Sequence, residues 1–178
     1  MAMRRYLVLS VFGVCLLVLA PGTIAFAGSS TYYAGKNSQG QKLLFSVDQT
    51  ASGPKFDPLF TTMIDRCPVT GDVITVGFVF QGFQIPIKNG NFKLVLNDIS
   101  DRFSWSGTVT STKAAGTESY GLAAFDKEGG LQDCATGSLS WTAKALTGAS
   151  SKAAAPSAAY LVHVTKASDG SVRFSVTH

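Results

Sequence analysis

Histidine is nearly absent from this chain, and its absence narrows the chemistry that the chain can perform. Of 178 residues only His163 and His178 are histidines, and both lie near the C-terminus. Ser–His and Cys–His hydrolases need an imidazole base, so we do not expect such an active site. The sequence contains no H-E-x-x-H or C-x-x-C motif. We therefore predict no metal site and no cofactor.

Charge is also sparse, and no basic run is present. The chain has 15 Lys+Arg against 11 Asp+Glu, which gives a net charge of +4. No stripe combines lysines with aromatic residues, so we expect no nucleic-acid partner. The lysines after the N-terminal region read as scattered, for example at Lys36, Lys42, Lys55, Lys88, Lys93, Lys113 and Lys144.

Long apolar runs are missing except near the N-terminus. Arg4 and Arg5 precede an apolar run over residues 6–20, and Ala25-Phe26-Ala27 is a small–x–small cleavage pattern. The run of about 15 residues is shorter than the ~20 that span a bilayer. We predict a signal peptide over residues 1–27, cleaved after Ala27, and a secreted or periplasmic protein with no membrane span after cleavage. A retained N-terminal anchor is the alternative.

Cleavage after Ala27 would change both the charge and the cysteine count. Two of the 15 basic residues would leave, so the remaining 13 against 11 acidic residues give +2. Cys15 would leave as well, and the remaining pair is Cys67 and Cys134. In an oxidising compartment an even count favours a disulfide, worth roughly 4 kcal/mol in the chain-entropy model. The alternative is two buried free thiols.

Residues 31–145 alternate between apolar and polar side chains in short segments separated by Gly, Pro, Asn and Asp. The clearest segment is 102–112, where Phe103, Trp105 and Val109 face one way and serines and threonines the other. One-sided strands of this kind bury their apolar faces on each other. We predict an all-β fold, an antiparallel two-sheet sandwich of the jelly-roll or lectin type. Residues 57–66 fit a strand or one short helix.

The C-terminal part has a different composition. Residues 28–146 form the predicted sandwich, and the small polar residues 147–158 read as a linker. Residues 159–178 predict a β-hairpin around the turn 166–170, which should dock on the sandwich or on a partner. The pattern K-x-S-x-G followed by F-S-V occurs at residues 36–47 and again at 166–176. Similar turn requirements or a truncated repeat would each explain this echo.

Carboxylates and aromatic side chains supply the remaining candidates for a site. Asp126 and Glu128 could act as a glycosidase pair, but a solvated hairpin tip is the preferred interpretation. Asp98 and Asp101 flank a turn that could hold a structural Ca²⁺, although the spacing matches no calcium loop.

A sugar-stacking platform is the candidate among the aromatic residues. Tyr32, Tyr33 and Tyr120 are its tyrosines. Trp105 and Trp141 fall on the strand face assigned to the core, so we expect both to pack internally.

Short motifs along the domain resemble a group of bacterial exported proteins of unknown function. They are Y-A-G-K-N-S-Q-G at 33–40, the mid-chain Cys67, I-K-N-G-N-F at 87–92, S-G-T-V at 106–109, A-G-T at 115–117, C-A-T-G at 134–137 and W-T-A at 141–143. The resemblance implies export, a single disulfide and a jelly-roll-like sandwich. It implies no activity and no site, and the C-terminal hairpin lies outside it.

The expected function is a secreted, non-enzymatic β-sandwich that binds a glycan or another component of the cell envelope. The alternatives are a lectin-like glycoside hydrolase using Asp126 and Glu128, and a structural surface protein whose tail hairpin pairs with a neighbouring chain.

Overall fold

A computed structural model of the chain describes residues 28–68, 70–97, 101–125, 131–147, 158 and 160–177. The predicted signal peptide and most of the predicted linker lie outside these ranges. No helix occurs within them, and the all-β prediction is confirmed. The strands are β1 (Ser30–Asn37), β2 (Lys42–Thr50), β3 (Gly53–Arg66), β4 (Val73–Gln81), β5 (Ile85–Pro86), β6 (Asn91–Asn97), β7 (Asp101–Val109), β8 (Lys113–Phe125), β9 (Leu131–Ala135), β10 (Leu139–Ala145), β11 (Tyr160–Lys166) and β12 (Val172–Thr177).

Six of these strands form a closed barrel, in the order β3-β2-β1-β10-β8-β9. Strand β9 pairs with β8 and meets β3 at Arg66 opposite Ala135, which closes the ring. The predicted disulfide between Cys67 and Cys134 is confirmed, and it lies next to this closing pair. Strands β7 and β6 continue the sheet beyond β8, while β4, β11 and β12 continue it beyond β3. The described strands thus form one continuous sheet, and the two-sheet jelly roll is not confirmed.

The core lies inside the curled sheet and is dominated by aromatic rings. Trp105 and Trp141 are 0% and 2% exposed, so the prediction that both face the core is confirmed. Trp105 of β7 packs edge-on against Phe45 of β2, with ring centroids 6.0 Å apart. A Cβ at Gly107 would lie 2.6 Å from the Trp141 ring, so this position needs glycine for the indole to fit. Alternation along each strand therefore sends one face into a single shared core.

Residues 57–66, which fitted a strand or a helix, belong to the long strand β3. Its first half pairs with β2 and β5, and its second half pairs with β4. The register between β2 and β3 shifts at Leu44/Phe45, which marks a bulge within the β2–β3 pairing, because Leu43 and Leu44 still pair with β3 beyond it. Bulges raise local twist, and this one lies where the other edge of β3 passes from β5 to β4.

Where β3 extends beyond the end of β2, two side-chain amides from the β1–β2 turn form hydrogen bonds with the backbone of β3. Asn37 Nδ2 donates to the Thr62 carbonyl at 3.0 Å. Gln39 bonds both backbone groups of Ile64: its Nε2 donates to the carbonyl at 2.8 Å, and its Oε1 accepts from the N–H at 2.7 Å. These contacts satisfy backbone groups that would otherwise face a gap in the barrel.

The predicted C-terminal hairpin is confirmed as strands β11 and β12. Strand β11 pairs with β4 in parallel, the one parallel pairing among the described strands. Val162 and Val164 of β11 are buried, and they extend the core under the hairpin. The hairpin therefore docks on the domain that precedes it.

Candidate functional site

A wide groove of about 890 Å³ crosses the outer face of the sheet. Its lining comes from strands β1, β2, β3, β7, β8 and β10, so residues far apart in sequence meet there. Its volume lies within the roughly 300–1,000 Å³ typical of ligand pockets. The lining includes Ala34, Lys36, Lys42, Leu44, Phe60, Thr108, Lys113, Ala115, Thr142 and Lys144.

Four lysines form an unbroken line across this groove. Lys36 lies directly opposite Lys42, and Lys113 lies directly opposite Lys144. The two pairs are joined because Lys36 is opposite Thr142, two residues before Lys144 on the same strand. Direct cross-strand partners have Cβ atoms about 5 Å apart, and diagonal neighbours are about 7–8 Å apart. The structure therefore gathers four lysines that read as scattered in the sequence.

The line of lysines separates two strips of different chemistry. On one side, Ala34, Leu44 and Phe60 lie opposite one another on β1, β2 and β3 and form an apolar strip. On the other side, Thr142, Ala115 and Thr108 lie opposite one another on β10, β8 and β7. We call these the apolar strip and the threonine strip.

The described residues supply no carboxylate that neutralises these four ammonium groups. No aspartate or glutamate is among the described residues that line the groove. Within the described part of the chain none of these lysines has an ion-pair partner. Like charges placed directly opposite each other destabilise a sheet, and a bound anion would relieve this repulsion.

Two acidic residues occupy the same outer face beyond the groove. Asp57 lies opposite Ser46, the next outward position on β2 after Leu44. Burial, and secondarily the charge of Asp48, raise the pKa of Asp57 to about 6. Ser46 donates a hydrogen bond to Asp48 Oδ1 at 2.9 Å. Lys55 lies directly opposite Asp48 on the same face, so this end of the outer face carries charges of both signs, whereas the described lining of the groove carries only cations.

The three tyrosines of the predicted stacking platform do not share a surface. Tyr33 and Tyr120 are 2% and 4% exposed and belong to the core. The Tyr33 hydroxyl donates to the Thr110 carbonyl at 2.7 Å, and burial raises the pKa of Tyr33. Tyr32 alone faces outward, opposite Ser46, and is half-buried.

The acidic candidates from the sequence are not brought together by the described part of the chain. Asp126, Glu128 and Asp98 lie outside the described residues, and Asp101 is the first residue of β7. Within the described ranges no group of three or more His, Cys, Asp or Glu side chains could hold a metal ion.

Two buried carboxyl groups were missed by sequence reasoning. Glu118 is 1% exposed and accepts hydrogen bonds from Asn37 Nδ2 at 2.8 Å and Thr61 Oγ1 at 2.9 Å. Burial raises the pKa of Glu118 to about 7, although these two hydrogen bonds lower it. Asp65 is 1% exposed, its oxygens have no hydrogen-bond partner among the described residues, and burial raises its pKa to about 7. Both face the core, where a solute cannot reach them, so neither contributes to the groove.

The comparisons with known proteins do not assign this chain to a family. In the described part of the chain no helix has the length and apolar character needed to cross a membrane. No protein-family model matches this chain, and no match was found among curated proteins or solved structures.

Proposed function

We propose that the chain is an exported, non-enzymatic binding module that holds an anionic component of the cell envelope in the lysine-lined groove. The observation that carries this proposal is the line of Lys42, Lys36, Lys144 and Lys113, with no carboxylate among the described residues that line the groove. Four uncompensated cations on one concave surface raise the local concentration of anions and strengthen their binding.

Export is part of the proposal and has its own support. The basic start, apolar run and cleavage pattern of residues 1–27 support a signal peptide, and the Cys67–Cys134 disulfide fits an oxidising compartment. The resemblance to exported jelly-roll-like proteins belongs to the same proposal. The alternation of apolar and polar residues along the strands supports the finer part of this proposal, a lectin-like sandwich.

Anionic ligands are favoured over neutral glycans by the chemistry of the groove. Neutral sugars are held by exposed aromatic faces and by many hydrogen-bonding side chains. Among the described lining residues Phe60 is the one aromatic side chain, and the side-chain hydroxyls are those of Thr108, Thr110 and Thr142. Its distinctive feature is charge.

The experiment uses the chain from Gly28 onwards, which contains every described strand. Binding is measured at low salt to polyglucuronate and to phosphatidylglycerol vesicles, with dextran and phosphatidylcholine vesicles as neutral partners. We expect binding to an anionic partner that weakens as salt screens the charges. Equal binding to the neutral and anionic partners would contradict the proposal.

Matched charge variants locate the site. Lys36→Gln/Lys144→Gln removes two adjoining cations from the groove, and we expect affinity to fall about tenfold or more, since each 1.4 kcal/mol is tenfold. Lys88→Gln/Lys93→Gln makes the same change in net charge at exposed positions outside the groove, and affinity should stay within about twofold. An equal loss in both pairs would indicate a general charge effect and overturn the site.

A further inference from the structure

We infer that the ligand of this groove is a single-chain anionic amphiphile, a fatty-acid-like molecule with one acyl chain and one anionic head. The inference rests on the proposed function and names its ligand class. Its basis is the juxtaposition of the line of lysines and the apolar strip on one continuous surface.

The apolar strip offers a path for an acyl chain. Ala34, Leu44 and Phe60 lie side by side on neighbouring strands, and the strip spans about 10 Å between its outer Cα atoms. Leu44 and Phe60 are 3% and 7% exposed, so they form the floor of the groove, and Ala34 is half-buried. Its side chains carry no hydrogen-bonding atoms, so a sugar hydroxyl placed there would lose its water without gaining a partner. An alkyl chain has no polar group that would lose its water there, and it gains apolar contact.

The lysines lie where the head of such a molecule would be. Lys36 follows Ala34 by two residues on the same face of β1, and Lys144 lies directly opposite Ala34 on β10. One anionic group next to Ala34 is therefore within reach of both ammonium groups. Lysine stems are themselves apolar, and they extend the apolar surface while the ammonium groups remain in water.

The threonine strip supplies the internal contrast. It lies on the other side of the same lysines, and its side chains, Thr108, Ala115 and Thr142, are all exposed, whereas Leu44 and Phe60 of the apolar strip are buried. The difference between the two strips predicts that the chain lies over β1–β3 and that the side over β7–β10 stays hydrated.

Calorimetric titration separates the contributions of head and chain. The probes are dodecanoate below its micelle concentration, butanoate as a head without a long chain, and dodecyl maltoside as a chain without charge. We expect dodecanoate to bind about 100-fold more tightly than butanoate, because the eight additional methylenes cover apolar surface. Dodecyl maltoside should bind at least tenfold more weakly than dodecanoate, because it lacks the charge.

The outcome distinguishes this inference from the proposed function. If dodecanoate binds no more tightly than butanoate while polyglucuronate or anionic vesicles bind, the amphiphile is overturned and the anion-binding groove stands. If no anionic probe binds, both are overturned. Binding of dodecyl maltoside equal to that of dodecanoate would also overturn the amphiphile, since charge would then play no part.

A matched pair of variants tests which strip holds the chain. Ala34→Gln places an amide in the apolar strip, and we expect dodecanoate affinity to fall about tenfold with butanoate affinity unchanged. Ala115→Gln makes the same substitution at an exposed position in the threonine strip and should leave dodecanoate binding within about twofold. Thermal unfolding of each variant checks that the barrel is intact. Equal losses in the two variants would contradict the assigned path.

Discussion

The two hairpins β1–β2 and β11–β12 have nearly the same turn but different surroundings. In the first, Gly40 N–H donates to the Asn37 carbonyl at 2.8 Å, and in the second Gly170 N–H donates to the Ala167 carbonyl at 3.0 Å. Both glycines have positive φ, 77° and 88°. The K-x-S-x-G echo therefore corresponds to one shared turn geometry, whatever its origin.

The side chains between the shared positions decide what each turn does. In the first turn Asn37 and Gln39 reach into the barrel and bond β3 and Glu118. The corresponding residues of the second turn are Ala167 and Asp169, and Asp169 Oδ1 accepts hydrogen bonds from the N–H and Oγ of Ser171, two residues away. These local hydrogen bonds lower the pKa of Asp169. The second turn thus only reverses the chain, whereas the first also bonds to the barrel interior, and two side chains account for the difference.

The largest loss of stability should come from removing the disulfide that lies where the barrel closes. Cys67→Ala/Cys134→Ala releases the link between the end of β3 and β9, and we expect unfolding free energy to fall by about 4 kcal/mol. Denaturant unfolding followed by tryptophan fluorescence measures this, since both tryptophans are in the core. The wild-type chain under reducing agent should show the same loss. Unchanged stability in both samples would mean that closure does not depend on the disulfide.

Exchanging the first residue of each turn tests the comparison directly. Asn37→Ala removes four hydrogen bonds of the amide and leaves Glu118 without one of its donors, so we expect a loss of about 3 kcal/mol. Ala167→Asn introduces the same amide at the second turn and should change stability by less than about 0.5 kcal/mol. Chemical denaturation of both variants measures the difference, and similar losses would remove the distinction between the turns.

The buried acid beneath the first turn predicts a pH dependence. The folded-state pKa of Glu118 is about 7 against an ordinary 4.5, so the folded state binds the extra proton between these values. The stability that Glu118 contributes is therefore complete below about pH 4.5 and is lost as pH rises through 7, with a loss of about 2 kcal/mol between pH 5 and pH 8. The raised pKa values of Asp65 and Asp57 act in the same direction.

Glu118→Gln isolates the contribution of this side chain. Glutamine can keep partners at Asn37 and Thr61 without a charge, so the variant should be more stable than wild type at pH 8 and similar at pH 5. Melting temperatures across this range provide the measurement. A variant with the same pH slope as wild type would assign the dependence to the other carboxyl groups.

The smallest effect should come from the shared glycines. An alanine at Gly40 or Gly170 meets no atom within 4 Å but must adopt positive φ, which costs about 1 kcal/mol in each turn. We expect Gly40→Ala to lower the global stability of the barrel. Gly170→Ala should chiefly speed amide hydrogen exchange in β11 and β12, because that hairpin is at the end of the sheet. Identical exchange patterns in the two variants would argue that both hairpins open together.

The strands and their inward faces could be predicted from the sequence, because alternation reports burial locally. Trp105 and Phe103 on one face, with serines and threonines on the other, were enough to place β7. Strand β9 and the closure of the barrel could not be predicted, since one residue pair, Arg66 with Ala135, joins β9 to β3.

The groove was hidden for a related reason. Lys36 and Lys42 flank one turn, whereas Lys113 and Lys144 belong to other hairpins, and only the register of β1 on β10 brings them together. Glu118 read as an ordinary polar residue of a strand, because its two hydrogen-bond donors come from β1 and β3. Both the lysine-lined groove and the burial of Glu118 depend on pairing between strands that are distant in sequence, and the pattern of a single sequence does not reveal this pairing.

The contact between Gln39 and Ile64 also bears on how the chain behaves at high concentration. A strand that extends beyond its neighbour offers free N–H and C=O groups to any other chain with an extended segment, and such edges promote aggregation. The primary amide of Gln39 has the same donor and acceptor as a peptide group, and it occupies that place on β3 permanently. Gln39 thus protects this part of β3, whereas β6 and β12, the two end strands of the described sheet, each present an edge to which another chain could add a strand.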